Sequence, residues 1–150
     1  MPKQNKSYLE KPNKKKAKKI SVSKWKDRLD KLVMQAVRLR EKMICEKCGK
    51  RVSGQDAQTS HVKPKGLYPM LRFDLLNVQL LCYHCHIYWW HKDPLEASVW
   101  FEGKYPTTAK ELERRALETR TGRFGQQDYE DIETNLKEKI KDYKNDRNLS

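Results

Sequence analysis

Cys45-Glu46-Lys47-Cys48 and Cys82-Tyr83-His84-Cys85 hold all four cysteines of the chain, in two Cys-x-x-Cys pairs. Each pair presents two thiolates from one tight turn, half of a tetrahedral zinc shell, and together they make a complete four-thiolate site. Four unrelated buried or disulfide-bonded cysteines are the alternative, which this spacing disfavours. Zinc bound by four thiolates has no open position, so it holds a fold together and does no chemistry. Chemistry has to come from His61, Asn77 and His86, which such a staple would pin in space. All four histidines follow the first cysteine pair: His61, His84 and His86, and then His91.

A histidine in a strand, an asparagine near the next loop and a histidine at the start of a helix resemble the HNH nuclease motif. In that motif Cys-x-x-Cys pairs often staple the ends of a ββα unit. The run Tyr68-Pro69-Met70-Leu71-Arg72-Phe73-Asp74, followed by Asn77 and Cys82-x-x-Cys85, is similar to the NinG/Rap recombination proteins of lambda-type phages. The similarity extends from about Ser23 to the C-terminal helix and is dense between Cys45 and Cys85. It implies an α+β fold with a zinc-stapled ββα-metal core flanked by N- and C-terminal helices. It also implies a divalent-metal-dependent DNA endonuclease, using Mg²⁺ or Mn²⁺, that acts on branched or recombination-intermediate DNA in a phage or prophage pathway and leaves 5′-phosphate ends.

Under that resemblance His61, in Ser60-His61-Val62-Lys63-Pro64, is the general base, because a neutral imidazole near pH 7 can take a proton from water. Asn77 is a support residue whose amide bridges the loop between the strands. His86 is a metal ligand. Many HNH motifs carry a second ligand directly before the base, where this chain has Ser60; NinG-like sequences have Gly there, and Asn at the position of His86. The second ligand falls to His91 or, further out, Asp56. An α-helix brings i and i+4 onto one face, so a spacing of five is awkward for His86 and His91. His84 is expected to face solvent. Lys63, Lys65, Arg72 and Lys92 gather around the cleft in sequence and can hold flanking phosphates. Part of the run Tyr88-Trp89-Trp90 must be core, since exposing three large rings on one helix is costly, and one ring can stack on an unpaired base.

Two other functions fit the same residues. One is a zinc-dependent nucleic-acid-binding protein without catalysis; the other is a site-specific HNH nuclease of homing or restriction type.

The composition is consistent with a nucleic-acid partner. The formal charge of +13 favours a polyanion, and 37% hydrophobic against 35% charged residues places part of the chain outside any core. No apolar run reaches membrane-spanning length, no signal-peptide pattern is present, and metal-spaced cysteines point to a reducing cytoplasm. Residues 1 to about 20 read as a disordered basic tail, with Lys14, Lys15 and Lys16 as a phosphate-gripping arm, a solubilising tail or, in a eukaryotic host, a nuclear address. Residues 21–150 read as a single domain, with its core at 44–93 and a helical part at 94–146.

The elements that must position the site follow from the pattern. A helix capped by Ser21 or Ser23 runs to about Met43, with Trp25, Leu29, Leu32, Ala36, Leu39 and Met43 as its stripe and Val33 at the edge. Its basic residues, Arg38 among them, read as solvated. A knuckle follows over 44–51, then a strand at 59–63 carrying His61 and a shaped loop. A second strand spans 75–81, and a helix runs from near Tyr83 to Trp90 or His91. Helices are also expected at 95–101, at 109–118 with a capping box of Thr108 and Glu111, and at 126–144. Tyr129, Ile132, Leu136 and Ile140 on the last helix are packing residues or half of a homodimer interface.

Overall fold

In the computed structural model, which describes residues 19–148, the order is α1 (Val22–Arg40), β1 (Gln58–His61), β2 (Val78–Leu81), a π-helix (Cys85–Trp90), α2 (Pro94–Lys104), α3 (Pro106–Glu118) and α4 (Gln126–Asn148). It is a mostly helical α+β fold around one two-stranded antiparallel hairpin. The basic arm with Lys14, Lys15 and Lys16 lies outside the described residues.

Ser21 caps α1, its hydroxyl accepting from Lys24 N at 3.3 Å. The buried face is Trp25, Leu29, Val33, Ala36 and Val37. Val33 therefore sits at the centre of the stripe rather than its edge, and Val37 takes a core position that the spacing gave to Leu39. The helix also stops at Arg40, short of Met43. Lys42 and Met43 adopt left-handed φ values of 54° and 58°, reversing the chain so that Cys45 can enter the cysteine cluster. Arg38 is not merely solvated: its guanidinium donates to the carbonyls of Gly54 and Ala57 at 3.0 and 2.8 Å. Arg40 donates to those of Leu75 and Val78. These two arginines tie α1 to both ends of the hairpin.

β1 and β2 pair with Gln58 opposite Leu81 and His61 opposite Val78. Every residue of β2 is buried, and the hairpin packs against α1 in the core. Both strands are shorter than the pattern suggests. Leu75–Asn77 winds into a 3₁₀ turn capped by the Asp74 carboxylate, and Lys63 reaches Asn77 through a side chain instead of the ladder. The ββα helix is the larger departure: it is π-helical from Cys85 to Trp90.

The core joins α1, the hairpin, Cys45, Cys82 and Cys85 to Phe73 and α4. Trp25 stacks on Tyr129 at 5.7 Å and donates from Nε1 to Gln126 at 3.1 Å. The apolar stripe of α4 thus lies against α1 of the same chain. Asp93 caps α2. Residue Thr108 does not cap α3, which begins at Pro106, whose fixed φ suits a first helical turn. The Glu111 side chain pairs with Arg114 and Arg115 instead.

Candidate active site

The four cysteines converge. Their sulfurs all lie within 4.8 Å of one another, and Cys48 Sγ is 3.9 Å from Cys82 Sγ. A tetrahedron of thiolates about 2.3 Å from zinc has edges of roughly 3.8 Å, so the arrangement fits that ion. The same separation is far from the roughly 2.05 Å of a disulfide. Local sequence explains the first half. Ile44 and Arg51 form a bridge, and Gly49, at φ 74°, closes the turn with its amide on the Cys45 carbonyl. Glu46, inside the first pair, is anything but filler. Its carboxylate accepts from Leu80 N at 2.6 Å and from the Tyr105 hydroxyl at 2.7 Å, and burial raises its pKa. The knuckle is thereby fastened to β2 and to the end of α2.

Beside this staple, His61, His86 and His91 line one cleft of about 560 Å³. The π-helix makes the third member possible. With His91 N on the carbonyl of His86, five residues back, the two imidazoles fall on one face, centroids 4.4 Å apart. The same wide turn sets Trp89 against Trp100 and Trp90 against Phe101, so both tryptophans pack on α2 while Tyr88 stays exposed. Trp90 also lines the cleft.

Hydrogen bonds fix the state of two rings. His61 Nε2 lies 2.9 Å from the Arg72 carbonyl, which can only accept, so Nε2 carries the proton and Nδ1 keeps a lone pair. His86 Nδ1 lies 2.7 Å from Gln58 Oε1. The amide of Gln58 is oriented by its NH₂ donating to the Gln55 carbonyl, so His86 donates from Nδ1 and keeps its Nε2 lone pair. Burial lowers the pKa of His61. Burial first, then the neighbouring His91 and His61, push His86 down to about 4. Both rings are neutral at pH 7.

Asn77 is fully buried and saturates its side chain. Oδ1 accepts from Lys63 N at 2.7 Å, while Nδ2 donates to the carbonyls of Lys63 and Leu71, each at 3.0 Å. It therefore holds the chain just after His61 against the chain just before Arg72, whose carbonyl meets the His61 ring.

Among the basic residues, Lys65 lines the cleft and is exposed. Lys92 is also exposed and lies over the Tyr88 ring at 4.6 Å. Arg72 is held by both oxygens of Asp30, at 3.0 and 2.6 Å, and Lys63 is paired with Glu113. Asp56 stands away from the cleft, accepting from Tyr83 N at 2.9 Å and pairing with Lys50 at 3.0 Å. His84 is exposed and stacks on Tyr88. Ser60 is buried outside the cleft lining, its hydroxyl without a hydrogen-bond partner. Gln58, Asp30 and Glu113 had no signal in the sequence, since each acts on a partner at least 28 residues away.

Fold and site together define a small α+β protein built on a four-cysteine cluster whose geometry fits zinc, with a histidine-lined cleft set against it. Residues 2–146 match the family model of the bacteriophage lambda NinG protein, and the chain belongs to the NinG family. No curated protein and no solved structure matches it. No helix among the described residues is long and apolar enough to cross a membrane.

Proposed function

We propose that the protein is a divalent-metal-dependent DNA endonuclease of HNH type, hydrolysing phosphodiesters in branched or recombination-intermediate DNA. The observation that carries this reading is the meeting of His61, His86 and His91 in one cleft, two of them neutral and in defined tautomers. His61 is the general base: with Nε2–H engaged by the Arg72 carbonyl, Nδ1 takes the proton of the attacking water. Burial lowers its pKa and keeps that nitrogen unprotonated. Asn77 positions the base by fixing the two stretches of main chain on which its ring depends.

The Nε2 of His86, backed by Gln58, and the ring of His91 are the donors that would hold the metal. When bound, a divalent cation polarises the phosphate and offsets charge on the leaving oxygen. Two imidazoles suit Mn²⁺ and its first-row neighbours better than Mg²⁺, which favours oxygen donors. Lys65 and Lys92 are the exposed cations placed for flanking phosphates, with the paired Lys63 and Arg72 behind them. The preference for branched DNA rests on the likeness to recombination proteins.

Cleavage of a labelled four-way junction beside the matching linear duplex, with Mn²⁺ or Mg²⁺, tests this reading. Junction-selective cutting that vanishes in His61→Ala is the expected result. Equal cutting of both DNAs removes the substrate claim and favours a site-specific enzyme. Ser60, a serine where HNH motifs place a ligand, favours the non-catalytic alternative. Binding without cleavage under any divalent metal would establish that zinc-dependent binding protein instead.

A further inference from the structure

Next to the histidine cleft lies a second cavity of about 300 Å³, and the two share Val62, Trp90 and Ser98 as walls. Its floor is apolar and partly aromatic. Trp90 and Phe101 meet edge to face, centroids 6.4 Å apart at 76°, above the buried Leu112. Its rim is polar and of mixed charge: Lys63 is paired with Glu113, and Lys110 and Glu102 complete it.

We infer that this cavity seats one unpaired nucleobase of the bound DNA. The volume lies at the small end of the range for ligand pockets, roughly 300–1,000 Å³, and has room for one flat ring system. A nucleobase is apolar on its faces and carries both donors and acceptors on its edge. The floor matches the faces, and on the rim Lys110 supplies an ammonium donor and Glu102 a carboxylate acceptor for the edge, beside the Lys63–Glu113 pair. An inorganic phosphate would meet two carboxylates here, and an aliphatic ligand would leave the Lys110 and Glu102 charges unused. Val62 directly follows His61 in the chain, so a base resting against Val62 carries its own phosphate to the mouth of the histidine cleft. Bases inside a duplex are stacked and must be extruded at a cost, whereas a nucleotide at a branch point is already available. The cavity thus gives the nuclease reading, on which this inference rests, a physical source of selectivity for branched DNA.

The test uses the full chain, without added divalent metal, and two forked DNAs. One has a single unpaired nucleotide at the branch; the other has an abasic residue there. Wild type should bind the abasic fork about tenfold more weakly, the scale of one lost stacked base. Ala109→Trp, which fills the cavity from α3, should bind the two forks equally. Equal binding of the two forks by wild type would overturn the inference, as would a preference that persists in folded Ala109→Trp. Should that variant not fold, 2-aminopurine at the branch position reports on wild type directly. Protection of its emission from acrylamide supports a seated base, and full accessibility refutes it. The nuclease reading fails by a separate signal, the absence of cleavage of either fork with Mn²⁺, while the binding difference still decides the cavity's occupant.

Discussion

His86 and His91 are five residues apart and face each other at 4.4 Å between ring centroids, because the turn joining them is π-helical. In an α-helix the residue at i+5 is rotated well off the face of residue i. The extra residue per turn turns an awkward spacing into a pair of neighbouring donors, in line with the concentration of π-turns at functional sites. If this pair holds the catalytic cation, His91→Ala and His86→Ala should each raise the Mn²⁺ concentration needed for half-maximal cleavage by about tenfold or more, the scale of disturbing a metal's immediate surroundings. Gln58→Ala should do the same more weakly, by freeing the His86 ring. Metal titrations of cleavage rate would check all three; unchanged titrations would remove His86 and His91 from the metal site.

The four-cysteine cluster draws α1, β2 and the π-helix together, and a structural metal contributes folding energy directly. One zinc per chain is expected by elemental analysis. Cys45→Ser or Cys85→Ser, both at buried sulfurs, should abolish cooperative thermal unfolding, as should stripping zinc with a strong chelator. A chain that melts at the same temperature with and without zinc would contradict this.

Asn77→Ala leaves the Lys63 amide and the Leu71 carbonyl without their partners in a fully buried position. At about 1 kcal/mol per lost bond, plus desolvation of the orphaned groups, the cost is about 2–4 kcal/mol. Urea unfolding in the presence of zinc measures it. Asn77→Asp should cost at least as much, because a carboxylate would face two carbonyls.

Ser60→Ala should behave in the opposite way. The Ser60 hydroxyl is buried without a partner, so its removal should leave stability unchanged or raise it by about 1 kcal/mol. Since Ser60 lies off the cleft, cleavage should be unaffected. A loss of metal-dependent activity in Ser60→Ala would show that this serine does occupy the ligand position of the HNH pattern.

The two half-buried imidazoles set a pH dependence. The pKa of His61 is lowered and that of His86 lies at about 4, against about 6.5 for an unfolded histidine. Between those values the unfolded chain binds more protons than the folded one, so stability falls as the pH drops from about 6.5 towards 4. Urea midpoints across that window, in protein loaded with zinc only, should decline with acid. The decline should lessen in His86→Gln, provided that variant folds.

Much of this was legible along the chain. Each cysteine pair was legible as half of a zinc-type cluster through its spacing, since two thiolates on one turn need nothing from the rest of the fold, and the fold brings the two halves together. The stripe of α1 marked Trp25, Leu29 and Ala36 but not Val37, and that of α4 marked Tyr129, Leu136 and Ile140. Asn77 was readable as a loop-bridging amide. Three things were not legible, and each depends on groups brought together from distant places. The winding of the π-helix is one: the sequence from Cys85 to Trp90 carries no mark of π rather than α geometry, and the observed turn sets both Trp89 and Trp90 against α2. The tautomers of His61 and His86 are another, decided by the Arg72 carbonyl and by Gln58. The third is which cations are compensated, because Asp30 and Glu113 reach Arg72 and Lys63 across 42 and 50 residues. Local spacing fixes what a single turn can hold, whereas the choice of helix type, proton position and ion pair is made by surfaces that meet only after the chain has folded.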